Sequence, residues 1–166
     1  MEFSSYSGIA LPGKGLSPFL GQINFNPGDQ NAHLVFLAPE VELMDHAILA
    51  LLDHLCWESG GRGALRLLAE IDEEQQIFEM LRLSGFSIYA RQQVWKFTQP
   101  KLNGDKNLSW RSFQQIDQHN LNTLYHAVVP PLVQGAEAMD KRPAHGYVHY
   151  QDGELLAYVD VISGPK

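Results

Sequence analysis

Seven histidines and a single cysteine are the residues most able to do chemistry in this chain. His46 and His54 stand eight apart, too far to share one metal ion along a helix without a ligand from another element. His145 and His149 fall in a run that alternates like a strand, where strand rise separates them by roughly 13 Å. Neither pair makes a His-x3-His helical clamp, so no metal is expected. Cys56 sits among apolar residues at helical spacing and reads as a small core residue; one cysteine excludes an internal disulfide. No Gly-x-Ser-x-Gly or Cys/His arrangement suggests nucleophilic catalysis. Gly60-Gly61-Arg62-Gly63 has the composition of a phosphate loop, but it follows a helical pattern and precedes an extended one. The phosphate-binding order is the reverse, so this run is read as a helix stop and turn. What remains is Glu40-Val41-Glu42-Leu43-Met44-Asp45, between an apolar run and a helix start. Backbone N–H groups at such a place can face an anion. Its acids Glu40, Glu42 and Asp45 suit a bare helix N-terminus through the dipole, and compete with an anionic ligand for it.

The elements that must position these residues read as strand, helix, strand, helix, strand from His33 to Phe97. His33 to Ala38 is an apolar run stopped by Pro39. Met44, Ala47, Ile48, Leu51, Leu52, Leu55 and Cys56 follow helical spacing and predict an amphipathic helix over 43–58. Residues 64–70 carry apolar side chains on both sides and predict a central strand. Asp72 with Gln75 resembles a capping box for a second helix, whose buried stripe is Ile77, Phe78 and Leu81 and whose stop is Gly85. A strand is expected from Phe86 to Phe97. Upstream, Ser7–Leu11 is a candidate edge strand. Phe19–Phe25 pairs with 33–38 through the turn Asn26-Pro27-Gly28-Asp29.

Residues 98–108 are polar and turn-rich and read as a linker between segments 1–97 and 109–166. Ser109–Phe113 is a short strand. Asp117 is placed as the N-cap of a helix with Leu121, Leu124, Tyr125 and Val128 on one stripe, stopped at Pro130-Pro131. Another turn or two of helix is expected within 132–139. Gly146–Gln151 and 154–163 form a hairpin through Asp152-Gly153, among the strongest short-range hairpin signals.

Composition sets outer bounds. The chain has 166 residues, 45% of them hydrophobic, enough for a sizeable core. A net charge of −7, with no Lys or Arg between Lys14 and Arg62, excludes a basic face for nucleic acid. The first residues lack a signal-peptide pattern, and no apolar run reaches the ~18 residues of a membrane span. A soluble, cytoplasmic protein is expected.

Residues 33–97 resemble the C-terminal half of the GNAT superfamily of N-acetyltransferases. The matching pieces are Leu37-Ala38-Pro39, the helix ending at Gly60-Gly61-Arg62-Gly63-Ala64, Leu65 to Ile71, and Met80 to Phe86 with its Gly85-Phe86. Residues 109–163 resemble the N-terminal half of the same fold. The resemblance implies an α/β (α+β) fold with a mixed, largely antiparallel sheet and helices on both faces. It implies acetyl-CoA as cofactor and acetyl transfer to an amine, with Leu37, Ala38, Glu40, Val41 and Met44 meeting the cofactor through their backbone. Alternatively, the chain is a non-catalytic GNAT-like binding or assembly module. Where the family carries Arg and two Gly for phosphate, this sequence has Leu43, Asp45 and Ala47; where it carries a Tyr general acid, Leu81; where it often has Asn, Glu74. The halves stand in reversed order. Two arrangements fit: a piece of a tandem protein, or a second segment completing the first by permutation or a swapped homodimer. The partner is a small amine or a protein.

Overall fold

The computed structural model describes residues 4–13, 17–39, 46–96, 109–137, 139 and 145–161. The linker at 98–108, the segment 40–45 and the end of the last strand at 162–163 lie outside the described residues. The chain divides into two compact units, Met1–Ile88 and Tyr89–Lys166. Its class is mixed α+β, as expected.

The first unit opens with β1 (Ser4–Ala10), β2 (Phe19–Phe25) and β3 (Asn31–Ala38), an antiparallel meander. Alternation in β2 buries Phe19, Gly21, Ile23 and Phe25 on one face, the half-buried pattern of such a sheet. The β2–β3 turn closes as its residues require: the Asp29 N–H donates to the Asn26 carbonyl at 2.9 Å, and Gly28 takes φ 89°. Helix α1 (His46–Gly61) then crosses the sheet and returns to β4 (Arg66–Leu68), which lies parallel to β3. Helix α2 (Ile77–Leu83) follows, and Gly85 at φ 89° ends it.

Ile48, Leu51, Leu52 and Leu55 of α1 share one core with Phe19, Ile23, Ile77, Met80 and Leu81. Gly8 and Gly21, directly opposite each other, lie beneath Leu51 and Leu55. A Cβ on Gly21 would sit 2.8 Å from both Leu37 Cδ2 and Leu55 Cδ1, so only glycine lets α1 approach this closely. On the opposite sheet face Ile9 is 67% and Phe36 40% exposed.

Several expectations need correction. The strand at 64–70 is not central: the sheet order is β1-β2-β3-β4, so β4 is an edge of three residues, and Leu65 points to solvent. Apolar content on both sides does not place a strand centrally when the helix between parallel neighbours sets its position. The strand expected from Phe86 is absent among the described residues 86–96. Val94 and Trp95, expected in it, are exposed. The Asp72 carboxylate accepts the Glu74 N–H at 3.0 Å, but closes a turn ahead of the helix instead of capping it; the N-cap is Gln76. Phe78 gives its place on the buried stripe to Met80.

The second unit holds β5 (Trp110–Ser112), a 3-10 turn (Gln115–Asp117), α3 (Gln118–Val128), α4 (Pro131–Ala136), β6 (Gly146–Gln151) and β7 (Glu154–Asp160). Its sheet is antiparallel in the order β5-β6-β7. The β6–β7 hairpin turns through Asp152 (φ 52°) and Gly153 (φ 85°), the two positive φ values of a tight hairpin. Leu121, Val148 and Leu155 form its core. Val128, expected on the buried stripe of α3, is exposed because the helix ends there.

Candidate functional site

The strand β3 holds the site residues Leu37 and Ala38. It pairs with β4 only at Asn31–Arg66, Ala32–Leu67 and His33–Leu68. Beyond His33 it runs on to Ala38, paired on its other edge with β2. No further β3–β4 ladder pair occurs among the described residues. The parting coincides with an irregularity: Ile23 faces Leu34 and Gln22 faces Phe36, so Val35 is an extra residue. A bulge adds local twist and turns a strand from its neighbour. Successive residues of a strand direct their N–H and C=O groups to opposite edges, so alternate residues of 34–38 address the β4 side. An extended ligand bearing amides could lie along that edge.

Leu37 and Ala38 are successive, so only one of the two can turn its N–H and C=O toward the β4 side. The Leu37 side chain packs into the core beside α1, where Gly21 makes room for it, and Ala38 is opposite Leu20. Pro39 ends the strand, and α1 begins at His46. Glu40, Val41 and Met44 lie outside the described residues. Leu81, where the GNAT resemblance would put an acid, is 4% exposed within the core and can neither give nor take a proton. Glu74 is exposed and outside any helix.

Two other polar clusters were not legible as sites. In the first unit Tyr6 on β1 hydrogen-bonds through its hydroxyl to His54 Nε2 at 2.7 Å. The His54 ring stacks on Trp57 with centroids 6.1 Å apart, and the Arg62 guanidinium lies 4.6 Å above the Tyr6 ring. Arg62 also pairs with Glu58, as four-residue spacing on a helix allows. His54, Trp57, Glu58 and Gly61 form one stripe of α1, and the helical period is the signal that could have joined them. Nothing local ties Tyr6 to that stripe.

In the second unit Asp117 is buried and accepts from four donors. Arg111 Nη1 and Nη2 approach its oxygens at 2.7 and 2.5 Å, the Tyr150 hydroxyl at 2.9 Å and the Gln114 N–H at 2.9 Å. The guanidinium of Arg111, opposed by the cost of burial and helped by the Gln114 and Tyr150 bonds, holds the carboxyl well below the usual carboxylate range. Asp117 holds the N-cap position of α3, as expected, but makes no side-chain cap bond there; its carboxylate instead closes a capping box with Gln114 on the 3-10 turn and ties the strand β5 to β6. All four partners are spent on structure.

Cys56 is half-buried, and burial first and the Asp53 charge second push its thiol up, away from the reactive thiolate. Among the described residues no three His, Cys, Asp or Glu side chains gather as a metal site. His126 bonds Gln134 and His149 faces the Ser109 carbonyl. No described helix is long and apolar enough to cross a membrane. Comparison with protein-family models, with curated proteins and with solved structures finds no match to this chain in any of the three.

Proposed function

We propose that the first unit is a GNAT-like acyltransferase-family domain that receives the pantetheine arm of acetyl-CoA between β3 and β4. The observation that carries this reading is the parting of those parallel strands after His33 and Leu68, just before α1. Pantetheine is an extended chain with two amides, and the β4-facing edge of residues 34–38 offers donors and acceptors at strand spacing. The pyrophosphate end fits less well, since the segment before α1 contains Glu40, Glu42 and Asp45 and no glycine or cation.

Acetyl transfer to an amine would need the amine neutral and the leaving sulfur protonated. With Leu81 buried where the family's acid stands, no described side chain at that place supplies a proton. That observation favours the second reading, a binding or assembly module that keeps the opening without the chemistry.

Isothermal titration of the full chain with acetyl-CoA and with CoA tests the proposal, beside thermal unfolding. A ligand at 100 times its Kd adds ~2.7 kcal/mol to the stability of what it binds. Micromolar binding of both supports a pantetheine site; no heat and no thermal shift at millimolar ligand overturns it. Acetyl transfer to simple amines then separates the enzyme from the binding module.

A further inference from the structure

Among the described residues the two sheets present four edges, and natural edge strands are guarded by brevity, charge, proline or a bulge. β4 and β5 are three residues each. β7 is longer, but pairing its full length with itself about a two-fold axis sets Glu154 opposite Asp160 of the partner subunit. Like charges directly opposite each other are destabilising. Among the described residues β1 has none of these guards. Its seven residues, Ser4 to Ala10, contain no charge and no proline, and its register against β2 is unbroken. Ser4, Ser5, Ser7 and Ile9 on it are exposed.

The helix side of this edge is also unfinished. Tyr6 and His54 form a ledge along β1, and Trp57 stacks on it while 71% exposed. The ledge carries both signs of charge, Arg62 and Glu58, so it does not repel a copy of itself.

We infer that two copies of this chain pair through β1, antiparallel about a two-fold axis at Ser7, joining their sheets into one. This register pairs the whole strand. Ser4 faces Ala10 of the partner subunit, Ser5 faces Ile9 of the partner subunit, and Tyr6 faces Gly8 of the partner subunit. An isologous contact of this kind closes on itself, so assembly stops at the dimer. The two ledges come to the same side of the joined sheet, where Trp57 gains cover. β1 and β4 are opposite edges of the sheet, so the pairing does not rest on the acyl-CoA reading.

The test is the solution mass of the full chain at tens of micromolar by sedimentation equilibrium. Wild type is expected at about twice 18.6 kDa. Ser7→Lys and Ser7→Glu each place like charges at the two-fold axis, on a side chain exposed in the single copy. Each alone is expected to be monomeric, and an equimolar mixture of the two to recover the dimer. A monomeric wild type, variants that stay dimeric, an open-ended assembly, or a mixture that stays monomeric would each overturn the pairing.

Discussion

Replacing Asp117 with Ser separates two roles that a helix-start carboxylate can have. As an N-cap, Asp and Ser are nearly equivalent, and the exchange would cost a few tenths of a kcal/mol. As a four-donor acceptor, Asp117 cannot be replaced by a hydroxyl. Ser retains at best the Gln114 N–H; it loses the buried Tyr150 bond and both bonds from Arg111. A hydrogen bond to a charged group contributes about 1.5–3 kcal/mol, which suits the Tyr150 contact. The Arg111 side chain is 47% exposed, so water takes over its donors and that pair adds little. The expected loss is therefore about 2–3 kcal/mol, or roughly 10–20 °C in the Tm of the second unit. Hydrogen exchange over 109–128 and 146–160 localises the effect. The acid limb gives a second readout. The folded carboxyl is held below its unfolded value, so its contribution is full above about pH 4 and disappears as pH falls further. The gap between wild type and Asp117→Ser should narrow on acidification below pH 4. A Tm change under 2 °C at pH 7, or a gap that widens in acid, would refute the acceptor role.

Other expectations follow from close approaches and from the buried leucine. Gly146→Ala places a Cβ 1.8 Å from the Val159 carbonyl oxygen, a backbone atom that cannot swing away. The variant should lose about 2–3 kcal/mol, read as faster exchange of the β6–β7 amides by mass spectrometry. Leu81→Tyr supplies the phenol that the GNAT resemblance implies but buries its hydroxyl in an apolar core. It should unfold at a lower temperature by about 1–3 kcal/mol and gain no acetyl transfer in a thiol-release assay.

Local chemistry was legible where it decides structure unaided. Asp152-Gly153 and Asn26 to Asp29 specify their turns, Gly85 ends its helix, and the spacing from Ile48 to Leu55 fixes the core face of α1. What depends on a distant partner was not. Residues 86–96 alternate well enough for a strand, yet a strand exists only where another offers a ladder. The edge position of β4 follows from the crossover through α1, which no property of 66–68 encodes. Asp117 shows the same limit: its type and place before a helix suggest a cap, while Tyr150, its hydroxyl partner, stands 33 residues away. For the candidate site, the sequence could point to Leu37 and Ala38 because Pro39 follows them. The parting of β3 from β4 and the bulge at Val35 are long-range geometry and became visible only with the strands paired.

The glycine pair Gly8–Gly21 has a mechanical consequence. Two side chains missing at adjacent points of the sheet make a shallow notch, and Leu51 and Leu55 are the teeth that enter it. Sliding α1 along its axis would lift those leucines onto the neighbouring Tyr6 and Ile23, so the helix is indexed at one position. The start of α1 and the end of β3 belong to the same rigid seat. The distance between the parted strands and the helix mouth is thus set by a detent buried under the helix, some two turns away. On the acyl-CoA reading proposed above, filling the notch should weaken CoA binding through the seat of α1.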